Sequence, residues 1–166
     1  GFRWLHESFG TNGRMIEMQA AIGRIQLRRM SEWHVRRKVH AERLAAVFSA
    51  LQGLRVPMPP VDVEHAWYKF YSFVQPESLA PGWSRDRIMA EVNAAGVPCY
   101  SGSCSEVYLE KAFDGTGWRP AQRLAVAKAL GETSLMFLVH PTLTDEEIEK
   151  TGKVVAEVMG HAREIS

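Results

Sequence analysis

GTNGRMIEMQAAIGRIQL, residues 10–27, is the most informative stretch of this chain. Its polar turn lies between Gly10 and Gly13, carries Asn12, and leads through Arg14 into a long helical pattern. A carboxamide, a guanidinium and the free backbone N–H groups of a helix start together favour binding of an anion. Asn12 could equally act as a turn or cap residue, and Arg14 as a solvated surface arginine. The turn is therefore a candidate anion site with an open structural alternative.

The pattern after this turn predicts helix over residues 14–52, as one long helix or as two in tandem with a break near residues 30–33. Apolar residues recur at helical spacing on one face: Met15, Met18, Ile22, Ile25, then Leu44, Val47, Phe48 and Leu51. Gly53 is a typical helix stop. A helix this long in a small chain needs something large to pack against, and we treat residues 1–52 as an N-terminal loop and long-helix region, separate from residues 53–166.

Residues 53–166 predict a small α/β domain in which helices cover one side of a short sheet. Strands are predicted where aromatic and β-branched residues cluster: residues 67–74, 97–100 and 133–139. Helices are predicted after Ser84, after Pro120 and after Thr144: residues 85–95, 120–130 and 145 onward. Pro57, Pro59 and Pro60 mark a predicted linker or edge segment.

The composition favours a globular protein of ordinary charge. The chain has 166 residues, 46% of them hydrophobic, and a net charge of +1. A net charge this close to zero creates no electrostatic field that would attract nucleic acid. No apolar run approaches the ~20 residues that span a bilayer. Cys99 and Cys104 are the only cysteines, which favours a reduced, cytoplasmic setting. Because the chain starts at Gly1 rather than at Met, we expect it to be processed or cut from a longer protein.

Two further kinds of site are considered and not favoured. The first helical region is basic, but aromatic residues are not interleaved with its arginines, so a solvated helix face is favoured over a nucleic-acid stripe. Cys99, Cys104 and His140 do not match a familiar zinc-ligand spacing, and no metal site is predicted.

The loop after the second predicted strand is rich in hydroxyl and aromatic groups, which suit a sugar. Its members are Tyr100, Ser101, Ser103, Cys104, Ser105 and Tyr108. The alternative, a loop packed by its own tyrosines, stays open. His140 follows the last predicted strand, and ligand sites often collect at such strand ends. Tyr100, Ser101 and His140 are therefore the candidate substrate-binding residues.

Residues 10–27 also resemble the pattern G-x-N-x-R-M-x-E-x-Q-A-A-x-G-x-x-Q-L, which is typical of the DegT–DnrJ–StrS sugar aminotransferases. Further matches follow in chain order: HAWYKFY at 65–71, GVPCY at 96–100 and FLVHPTLTDEEI at 137–148. The resemblance implies the small C-terminal domain of a fold type I enzyme, with a short, mostly antiparallel sheet after a long linking helix. It also implies pyridoxal phosphate, a nucleotide-linked keto sugar as substrate, and glutamate or glutamine as amino donor.

Site residues are carried over from the resemblance one at a time. In the family, the motif's asparagine reaches the cofactor phosphate of the neighbouring subunit, a role that maps onto Asn12 and implies a homodimer. Arg14 belongs to the same motif and is assigned to the cofactor. Tyr100 and Ser101 would line the nucleotide-sugar pocket. Many members carry a histidine in this loop, whereas YSGSCSE stands at residues 100–106 here, so the sugar is not specified.

The resemblance covers the C-terminal part of the family only. The lysine that forms the Schiff base lies upstream in full-length members, and no lysine of this chain stands in a similar context. We therefore expect the chain alone not to catalyse transamination, because the lysine is both nucleophile and proton shuttle. Two alternatives stay open: the C-terminal half of a related sugar dehydratase, and a standalone module that binds a nucleotide sugar or a partner protein.

Overall fold

The computed structural model describes residues 4–10 and 13–163, which form four α-helices and a four-stranded sheet within those ranges. The helices are α1 (Glu17–Phe48), α2 (Arg85–Ala94), α3 (Ala125–Thr133) and α4 (Asp145–Ala162). The strands are β1 (Leu54–Arg55), β2 (Phe70–Val74), β3 (Cys99–Tyr100) and β4 (Ser134–Phe137). Single 3₁₀ turns lie at Pro76–Ser78, Val107–Leu109 and Lys111–Phe113.

The sheet has the strand order β1-β2-β4-β3, and every neighbouring pair is antiparallel. Phe137 of β4 lies opposite both Phe70 and Cys99, so these three side chains share one face of the sheet. That face also carries Val74 and Leu135, which are buried. The predicted short antiparallel sheet is confirmed.

Three helices cover this face and form one core with it. Phe48 of α1, Ile88 of α2 and Ile148 of α4 are at most 2% exposed and belong to the same buried cluster as the sheet residues. The Phe48 ring meets Phe70 and Phe137 edge to face, with centroids 5.6 and 5.0 Å apart. An α/β domain with helices on one face of the sheet is therefore the observed fold.

Helix α1 is continuous from Glu17 to Phe48, so of the two alternatives one long helix is observed, without a break near residues 30–33. Only its last three turns contribute buried residues, from His40 to Phe48. Further toward the N-terminus, Met18 and Ile22 are 70% and 53% exposed. The N-terminal part of the predicted apolar face therefore has no packing partner in the described ranges.

The helix predicted over residues 120–130 begins only at Ala125, and it includes Gly131, which was expected to follow it. Contacts with a distant loop explain the later start. Arg123 binds the carboxylate of Glu106, and the Leu124 N–H donates to the Tyr108 hydroxyl at 2.9 Å. These contacts hold the backbone of residues 123–124 against the loop that carries Glu106 and Tyr108, so α3 starts only at Ala125.

The predicted strand over residues 67–74 is shorter than expected because Trp67 has a left-handed backbone, with φ of 47°. Its ring is nevertheless buried, and its N–H donates to His65 Nδ1 at 3.0 Å. Residues 54–55, which were not predicted as a strand, form the edge strand β1 beside β2. Within the described ranges, no helix combines the length and apolar character that crossing a membrane requires.

Candidate functional site

Arg14 lies in the non-helical segment that leads into α1, and its side chain is exposed. At the helix start, the Ile16 N–H donates to Gln19 Oε1 at 3.1 Å, which satisfies one of the free backbone donors. Arg14 forms no hydrogen bond or ion pair within residues 4–10 and 13–163. Asn12, the other cofactor candidate, lies outside the described residues.

The segment before this turn, residues 4–10, packs against the loop of residues 105–119. The Ala112 N–H donates to the His6 carbonyl, and the His6 N–H donates to Glu110 Oε2 at 2.8 Å. Phe9 meets Phe113 edge to face at 5.2 Å. These contacts join residues 4–10 to the loop of residues 105–119.

Glu106 is the buried anchor of that loop, and only 2% of it is exposed. Its carboxylate accepts hydrogen bonds from Arg123 and from the Tyr108 hydroxyl, the latter at 2.6 Å. Hydrogen bonding by Arg123 and then by Tyr108 lowers the pKa of Glu106 to about 2. Burial, followed by the hydrogen bond to Glu106, raises the pKa of Tyr108. Tyr108 therefore packs its own loop, which supports the structural alternative for this tyrosine.

The Glu106 pKa predicts how stability depends on pH. A carboxyl whose pKa is lowered on folding, from 4.5 to about 2, stabilises the fold above its unfolded pKa, and this contribution is lost as pH falls toward the folded pKa. Glu106→Gln is therefore expected to be less stable than the parent at neutral pH, and to lose less stability between about pH 5 and 2. Urea unfolding across this pH range measures both effects.

The matched control is Glu149→Gln, because Glu149 is an exposed residue paired with Lys153 along one helix. Such surface pairs contribute little to stability, so this variant should keep the parent's pH profile. A Glu106→Gln variant with the same profile as the parent would contradict the assigned role of Glu106.

Tyr100 and Ser101 lie where β3 ends and the loop begins. Tyr100 is 47% exposed and lies opposite Met136, on the sheet face away from the core. The Ser101 carbonyl accepts a hydrogen bond from Ser134 Oγ at 2.7 Å, which ties the loop to the start of β4. Ser103 Oγ lies 3.5 Å from the hydroxyl of Tyr71 on β2, which pairs with the other edge of β4.

His140 lies beyond the other end of β4, and its Nδ1 is 2.8 Å from Thr142 Oγ1. The structure therefore brings Tyr100 and Ser101 together but not His140 with them. None of these placements tests whether the three residues bind substrate, and their assignment stays a prediction.

The two cysteines differ in environment. Cys99 is buried, and burial raises the pKa of its thiol to about 12, whereas Cys104 is half-buried. In the part of the chain that the structure describes, no three or more His, Cys, Asp and Glu side chains are grouped so as to hold a metal ion.

Comparison with known proteins identifies the family. The model of the DegT/DnrJ/EryC1/StrS aminotransferase family matches residues 1–158. A dTDP-3-amino-3,4,6-trideoxy-alpha-D-glucose transaminase from Streptomyces venezuelae is 28% identical over 141 residues, which cover 85% of this chain and 35% of that protein.

Solved structures agree with this match. An aminotransferase from Psychrobacter cryohalolentis is 56% identical, with a TM-score of 0.81 over 96% of this chain and 42% of that one. DesV from S. venezuelae, solved in complex with a ketimine intermediate, is 25% identical. Its TM-score is 0.76, and the match covers 94% of this chain and 40% of DesV. The chain thus spans less than half the length of the relatives it matches. It belongs to the DegT/DnrJ/EryC1/StrS aminotransferase family.

Proposed function

We propose that this chain is the C-terminal part of a pyridoxal-phosphate-dependent aminotransferase that acts on a nucleotide-linked keto sugar, with glutamate or glutamine as amino donor. The observation that carries the proposal is the family match over residues 1–158. The Streptomyces transaminase, named for a dTDP-linked amino sugar, supports the substrate class. The proposed parent protein is cytoplasmic and homodimeric.

The groups of this chain fit the phosphate side of the cofactor. The Arg14 guanidinium is exposed beside the start of α1 and unpaired within the described ranges, and such a position favours a phosphate. We propose that Asn12 reaches the cofactor phosphate of the neighbouring subunit and that Arg14, from the same motif, also binds the cofactor. When bound, the cofactor supplies the electron sink of transamination.

The lysines of this chain fit the Schiff-base role poorly. Five of them already contact protein oxygens: Lys38, Lys111, Lys128, Lys150 and Lys153. The sixth, Lys69, lies beside an aromatic ring. We therefore propose that the Schiff-base lysine belongs to sequence upstream of residue 1.

The exposed apolar part of α1 supports such an upstream body. Met18 and Ile22, one turn apart on one face of α1, are 70% and 53% exposed. Exposed apolar surface of this kind typically marks an interface. We propose that residues 1–52 link the upstream domain to the small domain of residues 53–166.

On the substrate side, we propose that Tyr100 and Ser101 line the nucleotide-sugar pocket, since Tyr100 is exposed at the end of β3 where the polar, aromatic loop begins. His140 is retained as a third substrate candidate. Because it lies beyond the opposite end of β4, it would contact a different part of the substrate from Tyr100.

The proposal predicts that this chain alone forms no reducible covalent adduct with pyridoxal phosphate, whereas the product of its complete gene does. Each protein is mixed with pyridoxal phosphate, its absorbance is recorded, and borohydride reduction is followed by intact-mass measurement. We expect one reducible adduct in the complete product, on a lysine upstream of residue 1. A stoichiometric adduct on Lys69 of the isolated chain, or no adduct in the complete product, would overturn the proposal.

A further inference from the structure

Glu110 is a buried carboxylate whose side chain contacts a segment 104 positions away in the sequence. One carboxylate oxygen accepts the backbone N–H of His6 at 2.8 Å, and the other lies 3.2 Å from His6 Nδ1. The Glu110 side chain is 7% exposed, whereas the His6 side chain is 78% exposed. Burying a carboxylate is costly unless donors satisfy it. These two contacts therefore indicate that Glu110 holds the surface segment that carries His6.

Hydrogen bonds keep Glu110 charged and fixed in place. Burial raises the pKa of its carboxyl, but hydrogen bonds from His6 outweigh burial and leave that pKa lowered, so the group is ionised at neutral pH. The Glu110 carbonyl accepts a hydrogen bond from Arg119 Nη2 at 3.0 Å, and Arg119 Nε donates to the Tyr108 carbonyl at 2.9 Å. Glu110 is therefore a fixed acceptor for the backbone of His6.

The contact of Glu110 differs in kind from the ion pair beside it. Glu7 and Lys111 also join the two segments, at 2.7 Å, but their side chains are 73% and 62% exposed. Such surface pairs contribute little to stability. Glu110 instead is buried and accepts a backbone N–H, so its hydrogen bond fixes the main chain of the segment rather than an exposed side chain.

The segment that Glu110 holds leads directly into the proposed cofactor turn. His6 stands four residues before Gly10, where the turn of residues 10–14 begins. On the other side of the turn, Met18 of α1 is 70% exposed, and the buried residues of that helix begin only at His40. Within the described ranges, the contacts of residues 6–9 with the loop therefore provide the attachment closest to the turn.

We infer that Glu110 is a positioning residue for the cofactor: by holding the His6 backbone, it sets where the turn of residues 10–14 meets the cofactor phosphate. This inference rests on the proposed function, in which Asn12 and Arg14 bind the cofactor. Glu110 itself touches neither cofactor nor substrate in this assignment. It acts through the main chain between His6 and the turn, so its effect on cofactor binding depends on the side chains that the turn carries.

The test uses the product of the complete gene, prepared without cofactor and titrated with pyridoxal phosphate, with absorbance giving the dissociation constant. Glu110→Ala is expected to raise this constant about tenfold, the effect of losing a hydrogen bond to a charged group. Glu110→Gln keeps an oxygen that can accept the His6 N–H, and should stay within about threefold of the parent. Glu7→Gln removes the exposed carboxylate next to His6 and should change the constant by no more than about twofold.

A background that lacks both side chains of the turn separates positioning from a general loss of structure. In Asn12→Ala combined with Arg14→Gln, adding Glu110→Ala should change the constant by no more than about twofold, because neither side chain is left to position. A merely structural role predicts the same tenfold loss in both backgrounds. His6→Pro removes the N–H that Glu110 accepts. It should also raise the constant about tenfold, and at an exposed position it tests the same bond if Glu110→Ala does not fold.

The outcomes separate this inference from the proposed function. Equal binding by the parent and Glu110→Ala, or by the parent and His6→Pro where Glu110→Ala does not fold, overturns the inference alone. A tenfold loss that recurs in the double background also overturns the inference alone. A double background that binds pyridoxal phosphate as tightly as the parent contradicts the proposed roles of Asn12 and Arg14, and the inference falls with them. A parent that binds no pyridoxal phosphate contradicts both proposals.

Discussion

Replacing Phe48 with alanine is expected to lower the free energy of unfolding by about 3–5 kcal/mol. The ring is fully buried and contacts Phe70 and Phe137 of the two central strands edge to face. Its removal leaves a cavity between α1 and the sheet, and the packed neighbours can fill only part of it. The loss therefore combines the transfer energy of the ring with the energy of the cavity.

Urea unfolding of the parent and Phe48→Ala, followed by circular dichroism, measures this loss. Val126→Ala is the matched control, because Val126 is 73% exposed on α3 and its truncation should change stability by no more than about 0.5 kcal/mol. A Phe48→Ala loss below about 1 kcal/mol would mean that α1 does not pack on the sheet as described.

Gly102→Ala is expected to cost about 2–4 kcal/mol, the sum of backbone strain and a steric clash. Gly102 has φ of +83°, and a Cβ atom there would lie 2.7 Å from Tyr71 Cε1. The strain alone accounts for about 1–2 kcal/mol. Because Gly102 follows the candidate residues Tyr100 and Ser101, relief of the clash would also displace this loop.

Gly115→Ala separates the two contributions. Gly115 has a similar φ of +70°, but a Cβ atom there would meet nothing within 4 Å, so only the strain should appear. Urea unfolding of both variants, and of Gly102→Ala combined with Tyr71→Ala, gives the energy of the clash as a double-mutant cycle. Equal losses for the two glycine variants, or no coupling to Tyr71, would contradict the described contact.

Elements set by local signals could be predicted from the sequence. Ser84 caps α2, where its Oγ accepts the Arg87 N–H, and Thr144 and Glu147 form the predicted capping box of α4. The start of α3 was wrong because it depends on Arg123 reaching Glu106 across a loop. The edge strand β1 was missed because its two residues carry no periodicity.

Residues of the candidate site also divide into those that local sequence identifies and those that only the fold brings together. The motif around Asn12 and Arg14 identified the family, because its residues are adjacent in the sequence. The contact of His6 with Glu110 joins residues 104 positions apart. Glu106 and Glu110 lie close together in an aromatic loop, and this pattern was the only hint in the sequence that their carboxylates are buried. The sequence could not show that Arg123 and His6 are their hydrogen-bond partners.

The strand order has a consequence for synthesis on the ribosome. The central strands β2 and β4 pair across residues 75–133, and α4, which covers their inner face, follows both. When Phe70 and Val74 emerge, α1 and β1, which contact them, have already been made, but their partner strand β4 and the helix α4 have not. Because closing such a long loop must precede the contacts that stabilise it, the edge of β2 that pairs with β4 stays unpaired in the nascent chain until residues 134–137 have been made. Chaperone dependence and co-translational aggregation are therefore expected to concentrate on β2.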